Sequence, residues 1–171
     1  RMFLEWYLLD REGPSGMTPV EEYLTARGGT MAAAERCQFE HLTSTLRSVF
    51  RIKWIKDHDM VLSDLALGGT WEISSTTPTA GLEKDDIIDS RIVLFGGRLI
   101  TCHGTVLHPK ESRDMVMDII ARAKAEGMPH GVLIHHLDKM RLKLDRYSSV
   151  RIGHIYRYPT SQPPGSRTFT G

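Results

Sequence analysis

From Phe50 to Leu107 the apolar residues recur at every second position, and glycine pairs interrupt the pattern. Phe50, Ile52 and Trp54 share one side of FRIKWI; Asp57-His58-Asp59 turns the chain into MVLSDLAL; Gly68-Gly69 turns it again into TWEIS. After a loop over 75–86, DIIDSRIVLF and RLITCHGTVL pair across Gly96-Gly97. Alternation of period two is the signature of half-buried strands, and a glycine pair takes the positive φ angles a tight hairpin demands. Five short antiparallel strands with exposed edges are a poor flat sheet, so curling into a barrel or cover by helices is required.

The flanking segments supply that cover. FLEWYLL near the start reads as a short strand or a first helical turn. Thr18-Pro19-Val20-Glu21 then combines an N-cap, a proline at the first helical position and a glutamate three residues after the cap, so a helix runs from there to Gly28-Gly29. Phe39, Leu42 and Leu46 recur at helical spacing and predict a helix over about 31–47. Downstream, 110–126 carries Met115, Ile119, Ile120 and Ala123 on one face, and 132–147 carries Leu133, Leu137, Met140 and Leu144. VRIGHIYRY reads as a last strand. The expected fold is α+β: a small five- to six-stranded antiparallel β-barrel flanked by N-terminal and C-terminal helices. It divides into a helical segment (1–49), the barrel (50–108), helices and a terminal strand (109–158) and a flexible tail (159–171). That tail, rich in Pro, Gly, Ser and Thr, suits a linker in a piece of a longer chain, or a loose terminus.

Composition narrows function by exclusion. A net charge of +1 over 171 residues gives no global field for nucleic acid or membrane, and no apolar run approaches a membrane span. Cys37 and Cys102 lack metal-ligand spacing and sit in apolar stretches, which suits buried free thiols and a cytoplasmic location. The eight histidines show no ligand spacing: His135 and His136 project about 100° apart on a helix, and His103 and His108 point to opposite faces of a strand unless Gly104 makes a bulge. No metal and no cofactor is expected. Neither a G-x-S-x-G elbow, an H-E-x-x-H pair nor a phosphate loop is present, so the chain reads as non-enzymatic. The acidic run Glu83, Asp85, Asp86 and Asp89 reads as solvated loop charge.

Two stretches remain. Arg47-Ser-Val-Phe-Arg51, followed by Asp64-Leu-Ala-Leu-Gly68-Gly69, resembles the signature of PilZ domains, with Ala66 where the motif has serine. The resemblance spans 47–108 and implies a small barrel that binds cyclic di-GMP. In that case Arg47 and Arg51 would hold phosphate and guanine, while Asp64, Gly68 and Gly69 would shape the facing turn. If the barrel is degenerate, a protein partner takes the ligand's place. Phe3, Glu5 and Trp6, with SVFRI, LSDLALGG and SRIVLF, also resemble an uncharacterised bacterial family whose members sometimes carry SEC-C zinc motifs. From Asp138 onward, seven Lys/Arg face two Asp, a net of +5, with Tyr147, Tyr156 and Tyr158 interleaved. Lys139, Arg141, Lys143 and Arg146 could therefore form a nucleic-acid or partner surface. The Leu133–Leu144 seam offers a dimer or docking face instead, which makes a homo-oligomer the structural alternative.

Overall fold

The computed structural model describes residues 2–74, 81–147 and 149–159. Three helices come first: α1 (Met2–Leu9), α2 (Pro19–Arg27) and α3 (Ala33–Thr43). The strands follow: β1 (Leu46–Lys56), β2 (Asp59–Asp64), β3 (Thr70–Ser74), β4 (Ile87–Phe95), β5 (Arg98–Thr101) and β6 (Val106–Leu107). Helices α4 (Arg113–Ala125), α5 (His130–Arg146) and α6 (Ile152–Ile155) complete the chain. The loop 75–80 and the tail from 160 lie outside the described residues.

The strands form one antiparallel sheet in the order β3-β2-β1-β4-β5, with β6 on the same edge of β4 as β5. Its two ends, β3 and β5, come alongside each other, so the sheet is a nearly closed barrel packed by helices on both sides in sequence, as the alternation predicts. Phe50, Ile52, Met60, Leu62, Ile73, Ile88 and Ile92 fill its interior. A second core lies between the outer face and the C-terminal helices, where Val49 and Ile87 meet Val116, Ile119, Leu133 and Leu137. β4 serves both cores, which is why Ile87 through Val93 are all buried.

Local chemistry sets the element boundaries. Thr18 caps α2 with a complete capping box: its amide donates to Glu21 Oε2 at 2.7 Å while Glu21 N reaches Thr18 Oγ1 at 3.4 Å. Gly96 and Gly97 take φ of +56° and +76° and join Phe95 to Arg98 as a two-residue hairpin.

FLEWYLL, open in sequence between a short strand and a first helical turn, is a helix. Three expectations need correction. The helix predicted to 47 stops at Thr43, because Leu46 onward pairs with β4 from Ile92 downward, and that ladder overrides the helical spacing of Leu46. VRIGHIYRY is no strand: Ile152 and Ile155 flank one helical turn and pack with Tyr156 against the second core. RLITCHGTVL is two strands separated by a turn at 102–105. There Gly104 N donates to Glu5 Oε1 at 2.6 Å, and a Cβ on residue 104 would come within 2.7 Å of the same carboxylate.

Gly104→Ala is therefore expected to expel the Glu5 carboxylate and cost about 1–2 kcal/mol, while costing much less in a Glu5→Ala background. Urea unfolding of the four proteins measures this; equal costs in both backgrounds would refute the contact.

Candidate functional site

Along β1 the side chains alternate. Ser48, Phe50 and Ile52 enter the barrel, whereas Arg47, Val49 and Arg51 face outward. Arg47 pairs in register with Arg91, and Val49 with Asp89, so the outward side of β1 and β4 gathers two arginines and an aspartate beneath α5.

These charges form a closed network. Arg47 Nη2 donates to Asp138 Oδ2 of α5 at 2.7 Å and to Asp89 Oδ2 at 3.1 Å, and Nε adds a 3.3 Å bond to Asp89 Oδ1. Asp10, just past α1, lies 3.8 Å from Arg47 Nη1 and accepts a short hydrogen bond from Arg91 Nη2. Arg91 Nη1 also reaches Thr45 Oγ1 at 2.6 Å. His130, at the start of α5, donates from Nε2 to the Arg47 carbonyl oxygen at 2.8 Å. Only 18% of the Arg47 side chain and 3% of that of Asp89 are exposed.

Three carboxylates meet two guanidiniums here, one negative charge in excess. Burial works against the Arg47 charge, but Asp89 and Asp138 outweigh it and hold the guanidinium above its ordinary pKa. Asp89 is pushed up to about 8, by burial first and then by its hydrogen bond with Asp138. Near neutral pH the Asp89 carboxyl therefore holds a proton, as a buried acid beside another carboxyl does. A second buried polar cluster lies under α6: His108 Nδ1 is 3.0 Å from Tyr156 Oη. Burial and the Arg141 cation lower the His108 pKa to about 4, so the imidazole is neutral.

The sequence-predicted ligand residues do not converge as the motif implies. Arg47 is spent on the internal network. Arg51 stands opposite Ser63, and its Nε meets no acceptor among the described residues. Asp64 is 4% exposed and closes the loop 65–69: its Oδ1 accepts from Ser48 Oγ at 2.8 Å, Ala66 N at 2.9 Å and Leu67 N at 2.8 Å. Gly68 and Gly69 take φ of +86° and +98° in that five-residue loop, which replaces the expected two-residue turn. Gly69 O accepts from Asp64 N across β2, which puts it about two strand spacings, roughly 10 Å, from β1.

Other expectations resolve individually. Asp86 and Asp89 are buried, against the solvated reading of the acidic run: Asp86 Oδ2 accepts from Glu83 N at 2.8 Å, and Asp89 belongs to the network. Leu133, Leu137 and Met140 are core residues, so the seam is not available for docking. Cys37 is exposed rather than buried, and Cys102 is half-buried; both thiols are free. Arg141 Nε donates to Leu107 O at 3.0 Å and its Nη1 pairs with Asp145, whereas Lys139, Lys143 and Arg146 are exposed. Among the described residues, no group of three or more His, Cys, Asp or Glu could hold a metal ion, and no helix is long and apolar enough to cross a membrane. Asp10, Arg91 and Asp138 are the network residues that sequence reasoning missed. Arg91, beside Asp89 inside the apolar run IIDSRIV, is the one signal that could have revealed them.

Comparison with family models, curated proteins and solved structures finds no match to this chain.

The network has a pH signature. A carboxyl with a raised native pKa stabilises the fold below its unfolded value near 4, and that contribution is lost as pH rises toward about 8. His108 acts oppositely, because from pH 6.5 down to about 4 the unfolded chain takes up a proton that the buried imidazole refuses. Between pH 6.5 and 8 the Asp89 effect outweighs the residual opposite effect of His108 and His136, so the protein should lose about 1–2 kcal/mol there by urea unfolding, and Asp89→Asn should lose little. Parallel profiles would show that Asp89 holds no proton.

Proposed function

We propose that the chain is a non-enzymatic regulatory or adaptor module on a PilZ-like barrel, acting by binding a protein partner and not a cyclic dinucleotide. The observation that supports this most is the engagement of Arg47 with Asp89 and Asp138 at 3.1 and 2.7 Å. A receptor arginine exchanges water for phosphate. Arg47 would instead have to abandon the buried Asp89 and the half-buried Asp138, and stranding a buried partner in this way costs up to about 3 kcal/mol. Ala66 supports the same reading: it is buried against the second core, so the turn packs inward at the position where the PilZ motif has a serine.

One observation favours the receptor as a second reading. Arg51 keeps a guanidinium nitrogen without an acceptor among the described residues, a donor that a phosphate oxygen would satisfy. Calorimetric titration with cyclic di-GMP separates the two. The expected result is no saturable heat with ligand up to about 100 μM. Micromolar binding that disappears in Arg51→Ala would overturn the adaptor reading in favour of a second-messenger receptor.

A further inference from the structure

The helix that closes the charge network with its inner side has an outer side of opposite character. Asp138 of α5 turns to Arg47, and Asp145 is held by Arg141. With both acids committed to one flank, the opposite face carries Lys139, Lys143 and Arg146, all exposed and without an ion pair among the described residues. Residues 75–80, 148 and 160–171 include no aspartate or glutamate that could neutralise them. His135 and His136, one 100° step apart, lie at the two margins of that face. His136 registers the uncompensated charge: burial lowers its pKa, and Lys139, Lys143 and His135 lower it further.

This face is not purely polar. Val132 and Leu142 are 51% and 57% exposed and stand among the cations, and Tyr147 and Val150 continue the apolar surface beyond the helix end. From Val132 to Arg146 the stripe runs about 21 Å at 1.5 Å per residue. A cationic stripe with apolar side chains inside it matches the acidic face of an amphipathic segment, whose carboxylates meet the lysines while its leucines cover Val132 and Leu142. A nucleic-acid backbone would satisfy the lysines but leave those apolar groups in water. The stacking option is also reduced, because Arg146 already lies over its own neighbour, the Tyr147 ring, at 5.6 Å.

We infer that the outer face of α5 is a docking surface for an acidic amphipathic helix of a partner protein. The inference rests on the adaptor reading and names its partner class. Asp138 ties the inner side of α5 into the network of three carboxylates and two arginines, so the outer side can carry a partner's load without the helix leaving the barrel.

The probe is a fluorescein-labelled amphipathic peptide of about 15–18 residues, enough to span the stripe, with Glu and Leu sharing one helical face. Fluorescence anisotropy should show micromolar binding that weakens steeply between about 50 and 300 mM salt. Lys139→Glu/Lys143→Glu should reduce affinity at least about tenfold and Leu142→Ser several-fold, with the urea midpoint unchanged because all three side chains are exposed. No binding, or binding indifferent to Leu142→Ser, would overturn the inference. Tighter binding of a duplex DNA or of anionic phospholipid vesicles than of the peptide would overturn it as well and reassign the face. These failures are separable from failure of the adaptor reading, which is overturned only by cyclic di-GMP heat that depends on Arg51.

Discussion

Arg47 is the point at which this fold is tied together. Its guanidinium joins Asp89 on the neighbouring strand, Asp138 on α5 and, through Asp10 and Arg91, the end of α1. Segments more than 90 residues apart in sequence thus share one ion network. Taking such groups out of water is expensive, and a buried ion pair is no guarantee of net stability against an apolar alternative. Its effect lies in mutual dependence: once the barrel, α1 and α5 have brought these charges together, none can leave without stranding another. The apolar second core supplies bulk attraction between sheet and α5, and the charges fix which registers of helix and strand are allowed.

That arrangement also decides what the arginine can do. A guanidinium with carboxylates on Nε and Nη2 has few donors left for a ligand, whatever motif it belongs to. Asp64 tells a similar story. Its carboxylate accepts from Ser48, Ala66 and Leu67, so an acid that looks like the rim of a binding site is the internal cap of a loop. With both motif groups turned to structural tasks, the uncompensated chemistry of the chain moves to the outer side of α5.

Much of the fold was legible from local rules. Period-two spacing revealed the first four strands, the Gly96-Gly97 pair marked its hairpin, and Thr18-Pro19-Val20-Glu21 marked the start of α2. The failures occurred where tertiary pairing decided between local options. Leu46 satisfied a helical spacing and a strand spacing equally, and β4 chose the strand. VRIGHIYRY read as a strand, but packing of Ile152, Ile155 and Tyr156 on the second core goes with a helical turn. The site was less legible because proximity of Arg47 to Asp138 depends on the closure of the barrel and the return of α5, neither of which leaves a local signature. The cationic residues of α5 were visible in sequence; that Arg141 belongs to the inner flank and Leu142 to the outer one required the helix to be placed.

The most direct measurement is a double-mutant cycle between Arg47 and Asp138, using Arg47→Met, Asp138→Asn and the double variant in urea unfolding at neutral pH. If the network couples α5 to the barrel, the two substitutions together should cost at least about 2 kcal/mol less than the sum of their separate costs. Additivity to within about 0.5 kcal/mol would contradict that claim and leave the apolar core, with the His130 and Arg141 hydrogen bonds to strand carbonyls, as the tie between helix and sheet.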